Sequence, residues 1–291
     1  MSDIGIHSEG CDMYEEPYRW VEAVGNRRHY LDEQFKQGSP VVALTYESGI
    51  LLLTVSKGTP KLYEIYDRLA LGGMGHPADL EKLRFSLLEM AHVEGFNRSP
   101  SDVTGGRMVK YGIAPVIKQA FEEVFKAPFI VKILLAELGQ KSGRDAFLVI
   151  NYDGTFEEGS RFGVLAATSA VERQMLDYLR VQSGASSTVA ETSLTLDEAF
   201  GAALRAWAVG DQAQRQAAEQ ADGGDEKKVE DPKSAASDHA DLYAYLRETV
   251  AEKTIECAVL DRHQQGSSKF RSLSVDELGR LLPRDIRPSL T

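Results

Sequence analysis

The chain has 291 residues, 43% of them hydrophobic, with 33 Lys and Arg against 44 Asp and Glu and a formal net charge of −11. That length and apolar content allow a core hiding about 70–75% of the unfolded surface. The acidic balance and the absence of a basic stripe exclude a general nucleic-acid binder, which must displace counterions with a cationic face.

Residues 1–16, MSDIGIHSEGCDMYEE, are polar, aperiodic and without an apolar signal core, and they read as a mobile segment. Apolar runs such as ILLLTV are far too short to span a bilayer, so the expectation is a cytoplasmic protein with no membrane partner. A helix is expected over 17–37, opened by Pro17 and stopped by Gly38, with Trp20, Val21, Val24, Leu31 and Phe35 on one side. PVVALTYESGILLLTV then reads as an antiparallel hairpin turning at Glu47-Ser48-Gly49. A strand over 68–72 leads into Gly73 and Gly75. The period changes to helical over 78–96, with Leu80, Leu83, Leu87, Leu88 and Ala91 on one stripe. A second helix is expected over 107–126, where Pro115 marks a kink or the true start.

Strands return at PFIVKILLAEL, DAFLVINY and RFGVLAAT, with Asp153-Gly154 as a tight turn between the last two. Helices follow over 170–181 and 196–209, the second opened by a Thr195/Glu198 capping box. Residues 210–238 are charged and poor in large apolar side chains, the composition of a flexible acidic linker. A helix over 239–253, the strand TIECAVL, a short strand near KFRSL, a helix over 274–282 and a tail over 283–291 complete the chain. Strands come in antiparallel runs and helices in pairs. That order predicts an α+β fold, a four-layer αββα sandwich of two antiparallel sheets forming one domain over 17–282.

Chemical motifs are sparse. Cys11 and Cys257 form neither a CxxC nor a Cys/His cluster, the six histidines are scattered, and no HExxH or G-x-S-x-G occurs, so no metal or cofactor is expected. Gly73-Met74-Gly75-His76-Pro77-Ala78 fits G-x-G-x-x-A, but it follows a meander, and Asp79 and Glu81 would repel a pyrophosphate at the next helix N-terminus. On residue chemistry alone Lys61 is an exposed lysine and Gly75 a packing glycine.

The run SPVVALTYESGILLLTV, then KLYEIYDRLALGGMG, a helix pair, INYDGT, AATS and finally ECAVLDR and FRSL resembles proteasome core-particle subunits, with the C-terminal part similar to actinobacterial α-type subunits. The resemblance covers about 17–210 and 239–282 and implies the N-terminal-nucleophile hydrolase fold. In that family β subunits are proteases whose freed N-terminal residue attacks with its hydroxyl. α subunits form heptameric outer rings, gate the pore and receive activator tails. The nucleophile position falls on Ser39 after Gly38, the supporting lysine on Lys61, and the supporting aspartate on Val55, which cannot do that work. The resemblance therefore implies a non-catalytic α-type subunit in a homo-heptameric ring stacked on β subunits. Lys61 and Gly75 would form a pocket for the C-terminal carboxylate of a ring-shaped ATPase activator. Residues Tyr14, Pro17 and Trp20 would serve the gate and ring contact, although no Tyr-Asp-Arg gating motif stands in residues 1–16. The alternative it leaves open is a self-processing peptidase using Ser39 with Lys61.

Overall fold

The computed structural model describes residues 16–123, 125–141, 143–182, 193–222, 239–283 and 286. Tyr14, residues 223–238 and most of the tail expected over 283–291 lie outside the described residues. β1 (Val41–Tyr46) and β2 (Gly49–Ser56) form the expected hairpin, in register from Val41↔Thr54 to Tyr46↔Gly49. With β8 (Phe162–Leu165), β9 (Thr254–Asp261) and β10 (Phe270–Ser272) they make a sheet of order β10-β9-β2-β1-β8. The second sheet, β3-β4-β5-β6-β7, contains β3 (Leu62–Tyr66), β4 (Leu69–Gly75), β5 (Val131–Glu137), β6 (Ala146–Ile150) and β7 (Phe156–Gly159). All described pairings are antiparallel.

Both faces of the central strands are buried, which is why they read as near-continuous apolar runs. Successive side chains nevertheless enter different cores, because a strand alternates its faces with period two. In β2, Leu51, Leu53 and Val55 pack under α5 (Ser169–Gln182), α6 (Leu196–Asp222), α7 (His239–Glu252) and α8 (Val275–Leu281). Ile50 and Leu52 instead point into the layer between the sheets, where they meet Leu134, Ala136 and Phe147. The third core lies outside β4 and β5, where Leu71, Ile133 and Leu135 meet Leu80, Leu83 and Leu87 of α2 (Pro77–Asn97). The four layers of the expected sandwich are therefore all present.

Several local expectations are corrected. The helix expected over 107–126 is a short turn α3 (Gly105–Arg107), a wide π-helical segment at Met108–Ile113 and α4 (Ala114–Glu122). Pro115 has no N–H to donate, and the regular helix begins beside it. β7, FEEG, is a polar edge strand without apolar alternation, and β3 was likewise not marked by the strand expected over 68–72.

Residues 210–222, expected to belong to a linker, are instead helical, because α6 continues to Asp222. Gly210 lies so close to Met175 that a Cβ there would fall 2.4 Å from its Sδ. The polar residues that follow, Asp211 and Gln214, are buried and hydrogen-bonded rather than solvated. α1 (Glu16–Phe35) is also split in function along its length. Leu31 and Phe35 are fully buried and Val24 packs partly against the same core, whereas Trp20 and Val21 are 50% and 63% exposed, so the expected single apolar stripe is docked from Val24 onward and left open before it. Arg27 fastens that end by donating to the carbonyls of Ala120 (3.0 Å) and Phe121 (2.9 Å) where α4 finishes.

Candidate functional site

The Gly38–Ser39 corner follows directly on α1 and starts β1. Ser39 is buried, at 9% exposure. Its hydroxyl donates to the Val55 carbonyl at 2.5 Å and accepts from Trp207 Nε1 at 3.1 Å. The Gly38 carbonyl accepts from Gln214 Nε2 at 2.7 Å, while Gln214 Oε1 accepts from the Ala167 N–H at 2.7 Å. Thus the serine proton is already committed to a carbonyl, and Val55, fully buried, offers no carboxylate to orient a base. A hydroxyl nucleophile needs an adjacent proton acceptor. Among the described residues Ser39 has none that is basic, and no bond joins it to Lys61.

Lys61 stands at a second place, where the chain has crossed from β2 to the facing sheet through Lys57-Gly58-Thr59-Pro60. Its carbonyl accepts from Gly73 N–H at 2.9 Å, which puts it at the same end of the β3–β4 hairpin as Gly75. Its N–H donates to Glu256 Oε2 at 2.9 Å, and the Leu62 N–H donates to Glu256 Oε1 at 2.8 Å. The Lys61 ammonium itself has no hydrogen-bond or ion-pair partner among the described residues. Burial holds it below the ordinary lysine range; Glu256 opposes that shift, Lys253 reinforces it and Asp211 opposes it. Burial pushes the Glu256 carboxyl up, against the stabilising pull of the Leu62 and Lys61 amides and the Lys61 charge.

Further charges close the neighbourhood. Lys253 lies 3.5 Å from Asp211 and 5.3 Å from the centre of the Trp207 ring. Asp211, 5% exposed, also accepts from the Tyr245 hydroxyl and pairs with Arg215 at 3.1 Å. Lys253 is therefore ion-paired directly, whereas Lys61 feels the Glu256 and Asp211 charges without bonding either. A half-buried ammonium without a directly bonded counter-ion is suited to a free carboxylate, through a short charge-assisted bond.

Gly75 is required by the backbone before any ligand is considered. Its φ is +128°, and a Cβ would lie 2.1 Å from the Ile130 carbonyl oxygen, which accepts from His76 N–H at 2.7 Å. Clefts of about 810 Å³ under α5 and about 650 Å³ beside His76 are lined by other residues than Lys61 and Gly75. Among the described residues no group of His, Cys, Asp or Glu side chains could hold a metal, and no helix is long and apolar enough to cross a membrane. Pro17 lies in the first turn of α1, and Trp20 projects from the same helix. Sequence reading missed Glu256, Lys253, Asp211 and Gln214, which come from positions remote in the chain and share no spacing pattern.

Two face-to-face antiparallel sheets, each backed by helices, with a Gly-Ser corner entering the first strand, define an α+β sandwich of the N-terminal-nucleophile hydrolase type. No family model matches the chain. Curated relatives do: proteasome subunit alpha of Actinosynnema mirum is 31% identical over 142 residues, 48% of this chain and 53% of that one. The same protein of Saccharopolyspora erythraea is 30% identical over 183 residues, covering 62% and 66% of the two chains. That of Kineococcus radiotolerans is 28% identical over 262 residues, covering 88% and 92%. The chain belongs to the proteasome α-type subunit family. It spans between about half and two thirds of the length of the first two of these relatives.

Proposed function

We propose that this chain is a non-catalytic α-type subunit of a cytoplasmic proteasome core particle. It forms a homo-heptameric outer ring on a ring of β subunits, and its N-terminal segment gates substrate entry. The ring docks a ring-shaped ATPase activator, whose C-terminal carboxylate pairs with Lys61. One observation carries the non-catalytic part: the segment before Ser39 is built into the fold. Leu31 and Phe35 are in the core, Arg27 caps the end of α4, and the Gly38 carbonyl is held by Gln214. A leader removed by self-cleavage would take this packing with it.

The exposed Trp20 and Val21 on α1 support ring formation, since apolar side chains left uncovered in one chain can be buried by a neighbour. Lys61 lines neither of the two clefts named above, and a pocket shared between adjacent subunits would be completed by the neighbouring chain. The test is co-expression with the β subunit and electron microscopy of the product. Seven-fold particles are expected; a monomeric α chain that leaves β unassembled would overturn the assignment.

Two predictions follow from the same reading. Ser39→Ala should leave the particle's peptidase activity unchanged, and intact mass spectrometry should find no chain beginning at Ser39. Such a chain, with activity lost in the alanine variant, would establish the self-processing alternative. Deletion of residues 1–14 should raise basal peptide hydrolysis by the assembled particle, because an opened pore admits substrate without an activator. An unchanged basal rate would argue against the gate.

A further inference from the structure

We propose that Glu256 is the positioning residue for Lys61, fixing its backbone across the two sheets while leaving its ammonium free for an incoming carboxylate. This inference rests on the docking reading of Lys61 above. β3 is the edge strand of its sheet, so its outward N–H groups have no strand to pair with. Glu256 stands on β9 of the facing sheet, opposite Thr54 of β2. Its carboxylate spans the gap and uses both oxygens: Oε1 accepts from Leu62 N–H at 2.8 Å and from Lys61 N–H at 3.2 Å, and Oε2 accepts from Lys61 N–H at 2.9 Å.

The consequence is selective. A carboxylate beside a lysine ordinarily takes the ammonium as an ion pair, and here the only described hydrogen-bond partners of Glu256 are backbone amides. The start of β3 is thereby tied to the stiff β2–β9 ladder. The charged end of the same residue keeps its donors for a ligand. Lys253, the other ammonium nearby, is paired with Asp211 and does not compete for that role. Burial disfavours the charged forms of both Lys61 and Glu256, so a ligand carboxylate that bonds Lys61 restores solvation the pocket has removed.

The experiment uses the assembled core particle and a fluorescent decapeptide carrying the C-terminal sequence of the cognate ring ATPase, as free acid and as C-terminal amide. Fluorescence anisotropy gives the acid-to-amide affinity ratio. Glu256→Asp keeps the charge but falls one methylene short of the amides, whereas Glu256→Gln loses the charge but keeps an oxygen where Oε1 accepts from both. Positioning predicts that Glu256→Asp and Glu256→Ala weaken the free acid by about ten-fold and bring the ratio towards one, the scale of a lost charge-assisted bond. Glu256→Gln should retain the wild-type ratio. A general loss of stability would weaken acid and amide equally and leave the ratio alone. If Glu256→Ala does not assemble, the Asp and Gln variants carry the comparison. Should Asp keep the wild-type ratio while Lys61→Ala abolishes it, the positioning role is overturned and the docking role stands. A ratio unaltered in Lys61→Ala overturns the docking reading itself.

Discussion

Lys61→Ala is expected to reduce ATPase-stimulated protein degradation to the unstimulated level, with the mass of the assembled ring unchanged. The ammonium bonds no described residue of its own chain, so its removal takes little from the fold. A charge-assisted bond to a carboxylate contributes about 1.5–3 kcal/mol, or roughly ten- to hundred-fold in affinity for each tail. Several tails engaging one ring multiply that loss, because each bound tail raises the effective concentration of the next. The pH dependence has a definite sign. Burial holds the unoccupied ammonium below the ordinary lysine range, and a bound carboxylate favours its charged form. Docking should therefore be strongest while the free site is protonated. It should fall as pH rises through the depressed pKa of that site, earlier than an ordinary lysine would lose its charge. Stimulation that survives in Lys61→Ala, or tail affinity that is flat across alkaline pH in the wild type, would remove the pocket assignment.

The legibility of this fold in its sequence depended on where each segment is buried. β1 and β2 were readable because both faces are covered, giving VVALTY and GILLLTVS an unbroken apolar character around a glycine-bearing turn. β7 was not, since three of its four residues are exposed and nothing alternates. The end of α6 was misplaced for a different reason. Gly210, Asp211 and Gln214 have the composition of a linker, yet Asp211 accepts from Tyr245 and Gln214 bridges Gly38 and Ala167. Polar residues stabilised by distant partners cannot be told from solvated ones in a linear reading. The same limit hid Glu256, whose two amide partners lie nearly two hundred residues earlier in the chain. Lys61 was singled out only through family resemblance, which offered a proposed role without the chemistry around it. Gly75 was assigned to the pocket by resemblance alone, and the clash with Ile130 provides a sufficient reason for glycine there. Its substitution would disturb the β4–β5 junction and so cannot test the pocket cleanly.

Glu172→Ala should destabilise the isolated subunit by about 3–5 kcal/mol, more than Lys132→Met does, because it strands a buried charge. Lys132 lies on β5 with only 4% exposure. Its ammonium donates to the carbonyls of Ala166 at 2.8 Å and Ala167 at 3.2 Å and meets Glu172 Oε1 at 3.2 Å. It also stands 5.6 Å from the centre of the Phe35 ring, under the docked end of α1. Glu172 sits in the first turn of α5, where the helix dipole favours its charge, and the same oxygen accepts from Ala166 N–H at 3.2 Å. The alanine variant leaves an ammonium facing two carbonyls with no counter-charge, together with an orphaned amide. Lys132→Met removes the buried charge and leaves a carboxylate that reaches solvent, so its cost is confined to the carbonyls it abandons. Urea unfolding of the two variants gives the comparison. A loss in Lys132→Met equal to or greater than that in Glu172→Ala would show that the carbonyl bonds, rather than the charge pair, join β5 to the end of β8. The pair matters to the site because Ala167 also donates to Gln214, which holds the Gly38 carbonyl. Weakening it should loosen the corner that keeps Ser39 buried, seen as a larger rise in amide exchange at Ala167 than at Leu52, which is buried in the same core.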